Sequence, residues 1–182
     1  SRRHIRKAVA ADFNNDGYLD IAGFTTGDGD KALGWPRGEQ DILLINEGGK
    51  TFRNVKIPEW YRNDWNHGGS AADIDGDGLV DIIPVSEEQG RRTGPLKNFG
   101  NDLFKKGKTP YSRLTTKEVS SSVMAGDLNN DGHIDLVFSI QKAPNASAGF
   151  KTKDLEAETI QVIYGDGDFN FKDNESISFG HH

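Results

Sequence analysis

Cysteine is absent from the 182-residue chain, which excludes disulfide staples, thiolate metal sites and cysteine nucleophiles together. Long apolar runs are missing too. Nothing approaches the roughly 18 consecutive apolar residues of a membrane-spanning helix, so membrane insertion is not expected. The opening SRRHIRK is not followed by an apolar core, and no signal peptide is visible. No basic stripe interleaved with aromatics occurs, which makes nucleic acid a poor partner. Neither GxSxG nor any other nucleophile motif is found, and the only dense carboxylates lie in the loops described below. An enzyme is therefore not expected.

Hydrophobic residues are scarce at 34%, and mean hydropathy is -0.66. They nevertheless gather in runs of about four to six, separated by Gly, Asn and Asp, the pattern of many short strands. The net charge of -6 is unevenly spread. Ten aspartates sit in three loops, and without them 22 basic residues face 18 acidic ones. The acidity belongs to the loops.

Those loops are copies of one another: AADFNNDGYLDIAGF from Ala10, AADIDGDGLVDIIPV from Ala71 and AGDLNNDGHIDLVFS from Ala125. Their first aspartates, Asp12, Asp73 and Asp127, fall 61 and 54 residues apart. A second element recurs about 30 residues after each loop: NEGGKTF ending at Phe52, NFGNDLF at Phe104 and YGDGDFNF at Phe171. The chain divides into approximate repeats 1–58, 59–114 and 115–182, which make up one repeat domain.

Local signals give each repeat four strands. In the first, a strand containing Ala8 to Ala11 enters the loop, Ile21 to Phe24 leaves it, Asp41 to Asn46 follows, and Gly48 and Gly49 turn the chain into Thr51 to Ile57. Ile82 to Val85 and Leu96 to Phe99 fit the same order in the second repeat. Leu136 to Ile140 and Thr159 to Tyr164 do so in the third. The expected fold is all-β: four-stranded antiparallel meanders whose length suits the blades of a β-propeller. Small residues before each loop, Ala10, Ala11, Ala71, Ala72, Ala125 and Gly126, suit either close approach of inner strands or tight turn packing.

The loop chemistry is that of a hard cation. The first loop offers oxygens from Asp12, Asn14, Asp16 and Asp20, the second from Asp73, Asp75, Asp77 and Asp81, and the third from Asp127, Asn129, Asp131 and Asp135. Short side chains at positions one, three and five turn inward if the backbone curls, and the sixth-position Gly17, Gly78 or Gly132 takes the sharp turn. Position seven is Tyr18, Leu79 or His133, an unrelated set, as expected if only its backbone carbonyl coordinates. Zinc would want nitrogen or sulfur donors, and magnesium a tight, partly hydrated octahedron. Three calcium ions are expected. Asp, Asn and Gly are also simply favoured in turns; three strings sharing the fifth-position Asp, sixth-position Gly and ninth-position Asp weigh against that reading. An EF-hand fails because its twelfth position needs Glu, whereas Gly23, Pro84 and Phe138 stand there.

With these residues in view, the chain resembles the FG-GAP and VCBS repeats of integrin α-subunit propellers and of many surface proteins. The resemblance rests on the three DxD/NxDGxxD loops and the later Gly-rich turns ending in Phe, and covers nearly the whole chain. It implies blades of a seven-bladed propeller, with calcium in the hairpin between the first and second strands. Three blades do not close such a ring, so the expectation is a partial propeller completed by further blades of the same or another chain. It also implies an extracellular or cell-surface adhesion or recognition module in which calcium is structural. The alternatives are the non-catalytic repeat region of a secreted polysaccharide lyase or hydrolase, and an architectural spacer.

In such a blade the segments 25–40 and 58–69 lie opposite the calcium loops. They hold Trp35, Trp60, Tyr61 and Trp65, with Arg37, Arg62 and His67 nearby, a set suited to stacking on a glycan or anchoring a protein partner. Packing between blades is the competing use of the same aromatics. His4 and His67 are expected at the surface. Asn145 and Asn174 begin glycosylation sequons, and the chain ends in His181 and His182.

Overall fold

The aspartate loops and glycine turns cut the chain into short extended segments rich in Ile, Val, Phe and Ala, and these pair as strands. The computed structural model describes residues 5–25, 40–57, 66–86, 94–107, 118–142 and 156–178. Among them are twelve strands and no helix. The first sheet holds β1 (Ile5–Ala11), β2 (Asp20–Thr25), β3 (Ile42–Glu47) and β4 (Thr51–Val55) in that order. The second holds β5 (Asn66–Ala72), β6 (Asp81–Ser86), β7 (Leu96–Asn98) and β8 (Phe104–Lys106). The third holds β9 (Glu118–Gly126), β10 (Asp135–Lys142), β11 (Glu156–Gly165) and β12 (Phe171–Ser178). Every pairing is antiparallel between consecutive strands. Each sheet is a meander, as the strand signals imply.

Equivalent registers place each loop at the same corner. Ala11 pairs with Asp20, Ala72 with Asp81 and Gly126 with Asp135. Each loop thus closes the hairpin between the first and second strands of its sheet. The β3–β4, β7–β8 and β11–β12 turns lie at the same end. The first is built on Gly48 and Gly49 at φ +68° and +76°, backbone that side chains rarely adopt.

Among the described residues, two clusters join the sheets. Ala22, Phe24, Leu43 and Ile45 of the first sheet meet Ile82, Leu96 and Phe104 of the second. Ile83 and Val85 on the other face of β6 meet Leu136, Phe138 and Ile163 of the third. Alternate side chains of a strand point to opposite faces. The central sheet is covered on both faces, so β6 is apolar without alternation. The first strands lie side by side, β1 against β5 and β5 against β9. Ala11 and Ala71 border the first cluster, and Ala72 and Ala125 the second, so the small residues serve close approach of these strands. At Gly69 in β5 a Cβ would sit 2.1 Å from Phe24 Cζ, so only glycine admits that ring.

Two expectations need adjustment. Ile57 lies beyond β4 yet is buried, so its apolar character reflects a core contact and not a strand position. His67 is half-buried within β5, and not at the surface, because neighbouring sheets flank that strand. His4, Arg37, Arg62, Trp35, Trp60, Tyr61, Trp65, Asn145, His181 and His182 lie outside the described residues.

Candidate metal loops

The three loops share one hydrogen-bonded frame, set by backbone amides turned inward onto carboxylates. The first-position aspartate accepts from the sixth-position glycine: Gly17 N to Asp12 Oδ2 at 2.8 Å, Gly78 N to Asp73 Oδ2 at 2.8 Å and Gly132 N to Asp127 Oδ2 at 3.0 Å. Its other oxygen accepts from the fifth-position amide at 3.1, 3.1 and 3.2 Å. The fifth-position aspartate accepts from the seventh-position amide, at 2.9 Å in all three. These bonds require left-handed backbone at position six, where Gly17, Gly78 and Gly132 have φ of +88°, +86° and +87°.

Position four is left-handed as well, at Asn15, Gly76 and Asn130. The sequence signal was present: Asn and Gly are the residues that tolerate this conformation best.

The ninth-position aspartates Asp20, Asp81 and Asp135 are wholly buried. Each accepts from the second residue of its own loop, Phe13 N at 2.8 Å, Ile74 N at 3.0 Å and Leu128 N at 2.8 Å. Each also accepts from the third strand of its sheet, Asn46 N at 2.7 Å, Asn98 N at 2.8 Å and Gly165 N at 2.9 Å. The closing carboxylate thus latches the loop to its sheet. Burial pushes the Asp81 carboxyl up to about 7 against the opposing pull of its backbone donors, and raises Asp20 in the same way. At exposed Asp131 the His133 amide holds the pKa below the ordinary carboxylate value.

Tyr18, Leu79 and His133 turn their side chains onto the neighbouring hairpin. A Cβ at Gly49 would lie 3.4 Å from Tyr18, one at Gly100 would lie 3.9 Å from Leu79, and one at Gly167 would lie 3.3 Å from the His133 ring. In that orientation the seventh residues face the glycine turns with their side chains.

Oxygen is the donor type in all three loops, and a carboxylate oxygen that accepts one amide keeps a further lone pair for a cation. In the second loop one oxygen each from Asp73, Asp75 and Asp81 lie within 4.8 Å of one another. Asp75 Oδ1 is buried there without a hydrogen-bond partner. A hard divalent ion with six to eight oxygen ligands fits that donor set.

The loops also tie the sheets together. Asn15 Nδ2 donates to Gly78 O at 2.9 Å, and Asn98 Nδ2 donates to Phe13 O at 2.7 Å. The Phe13 ring meets the Phe104 ring edge-on at 6.2 Å. Ile74 enters the cluster shared with the third sheet. In the first two loops position two, Phe13 and Ile74, is therefore a wedge into the next sheet, a role the sequence reading missed because only an apolar character marks it. No family model matches the chain, and no curated protein matches it closely enough to count as a relative.

Proposed function

We propose that the chain is a calcium-binding segment of a β-propeller of the FG-GAP/VCBS kind, an extracellular recognition or adhesion module. The observation that carries this reading is the threefold recurrence of one loop frame, with the carboxylates of positions one, five and nine held by matching backbone amides. A frame that recurs in such detail serves more than turn formation, for which a Gly-Asn pair suffices. Calcium then offsets repulsion that backbone amides meet only in part. Unit charges about 4 Å apart still repel by about 4 kcal/mol at an effective dielectric constant near 20.

The propeller reading is supported by the side-by-side first strands and by Lys7 on β1, whose Nζ donates to the Val123 carbonyl of β9 at 3.3 Å. Partial burial holds that ammonium below the ordinary lysine pKa. Further blades, of this or another chain, would complete the ring. Leu128 supports their presence: it is 48% exposed, while Phe13 and Ile74 at the same loop position are 2% and 3% exposed. Calcium is structural in this reading, with affinity of about 10⁻⁴ to 10⁻³ M, as in extracellular modules. Trp35, Trp60, Tyr61 and Trp65, which lie outside the described residues, are the residues this reading assigns to protein or glycan binding.

Calorimetric titration of chelator-treated protein with calcium chloride tests the reading. The expected result is uptake of about three ions, one per loop, with a rise in Tm. The absence of both binding heat and a change in Tm would exclude it.

A further inference from the structure

The second loop differs from the other two in its charge and in what answers that charge. Its third position is Asp75, where the others carry Asn14 and Asn129. In those loops the amide nitrogen donates to the fifth-position carboxylate, over 2.9 Å in both. An ionised Asp75 has no hydrogen to give, so Asp77 is answered from elsewhere. Lys97 on β7 donates from Nζ to Asp77 Oδ2 over 2.9 Å, and to Asp75 Oδ2. Lys97 stands one residue before the strand amide that holds the closing aspartate. The corresponding residues are Ile45 and Tyr164. The lysine belongs to the second repeat alone.

Lys97 does not exhaust Asp75. That side chain is 8% exposed, and its Oδ1 is the buried, unpartnered atom grouped with the carboxylates of Asp73 and Asp81. A second resting place for the ammonium is already built. Its nitrogen lies 5.7 Å from the ring centroid of Phe169, a residue of the third repeat, and 5.6 Å from that of Phe99, a ring that Lys105 Nζ also approaches at 5.3 Å. Aromatic faces attract a cation released from a carboxylate.

We propose that Lys97 is a tethered competitor of calcium at the second loop, making the site richest in carboxylate the last of the three to fill. Carboxylate count raises calcium affinity, so without Lys97 this loop would bind most tightly. With it, a divalent ion must first displace the ammonium from Asp75 and Asp77. The proposal rests on the calcium reading above.

A titration with calcium chloride, followed by the amide resonances of Gly17, Gly78 and Gly132, reports each loop separately. In the unaltered chain Gly78 should reach its midpoint at the highest calcium concentration. Lys97→Met, of similar length and no charge, should move that midpoint about tenfold lower, as expected for loss of a competing contact of about 1.4 kcal/mol. The Gly17 and Gly132 midpoints should stay in place. Lys97→Arg should keep the original order, which separates charge from packing. If Gly17 and Gly132 titrate while the Gly78 midpoint is the same in Lys97→Met, or if Gly78 fills first in the unaltered chain, the competitor role is wrong and the calcium reading stands. If none of the three glycines responds, both fall.

Discussion

Phe13, Ile74 and Leu128 occupy the second position of three loops with the same hydrogen-bonded frame, and they end in different surroundings. Phe13 is seated among residues of the second sheet and Ile74 among residues of the third. Leu128 lies half in solvent, with the exposed Met124 on the same sheet. The comparison separates two jobs of one loop. The frame answers carboxylate charge and is complete within a repeat, whereas the wedge needs a neighbour.

Truncation tests that separation most severely. Phe13→Ala should cost about 3–5 kcal/mol of unfolding free energy and Ile74→Ala about 2–5 kcal/mol, the range for emptied core positions. Leu128→Ala should cost under about 1 kcal/mol, as surface changes do. Chemical denaturation of the three variants in excess calcium measures the contrast. An equally large loss at Leu128 would mean that this face is covered in solution.

A milder test concerns that face. A half-exposed apolar wedge on a sheet that also exposes Met124 favours association, so the chain should self-associate and Leu128→Lys should shift light scattering toward monomer without lowering Tm. Monodisperse monomer in the unaltered chain would count against a bare seat.

The last expected effect is on pH dependence and concerns the latch that all three loops share. The Asp81 carboxyl is raised to about 7 from an ordinary 3.8, so the folded chain holds this proton more tightly than the unfolded one. Its contribution to stability is full below about pH 4 and is lost as pH rises through about 7. On the calcium reading proposed above, the ion favours the ionised form and should reverse the trend. Without calcium, Tm should decline between pH 5 and 8, with a shallower decline in Asp81→Asn; an identical slope would show that Asp81 does not titrate there. With calcium, the gain in Tm should be larger at pH 8 than at pH 5.

Much of the fold was legible because its rules are local. Asp, Asn and Gly at fixed spacings force left-handed backbone and inward oxygens within nine residues. Apolar runs of strand length between them leave few alternatives to hairpins. The expected strands differ from those observed mainly at their ends, as at Ile57 and Phe99. Other features left no local mark. Nothing near Lys97 in the sequence points to Asp75 and Asp77, which precede it by 22 and 20 residues. His67 read as a surface residue because its burial comes from neighbouring sheets.

The sequence by itself determined the loop frame and the four-strand meander, since turn geometry, hairpin register and carboxylate spacing act over a few residues. Only the tertiary structure decided which apolar residue is core and which is bare, and which loop is met by a lysine. Burial and charge pairing depend on what another sheet brings alongside, and repeats with nearly the same local code then acquire different neighbours.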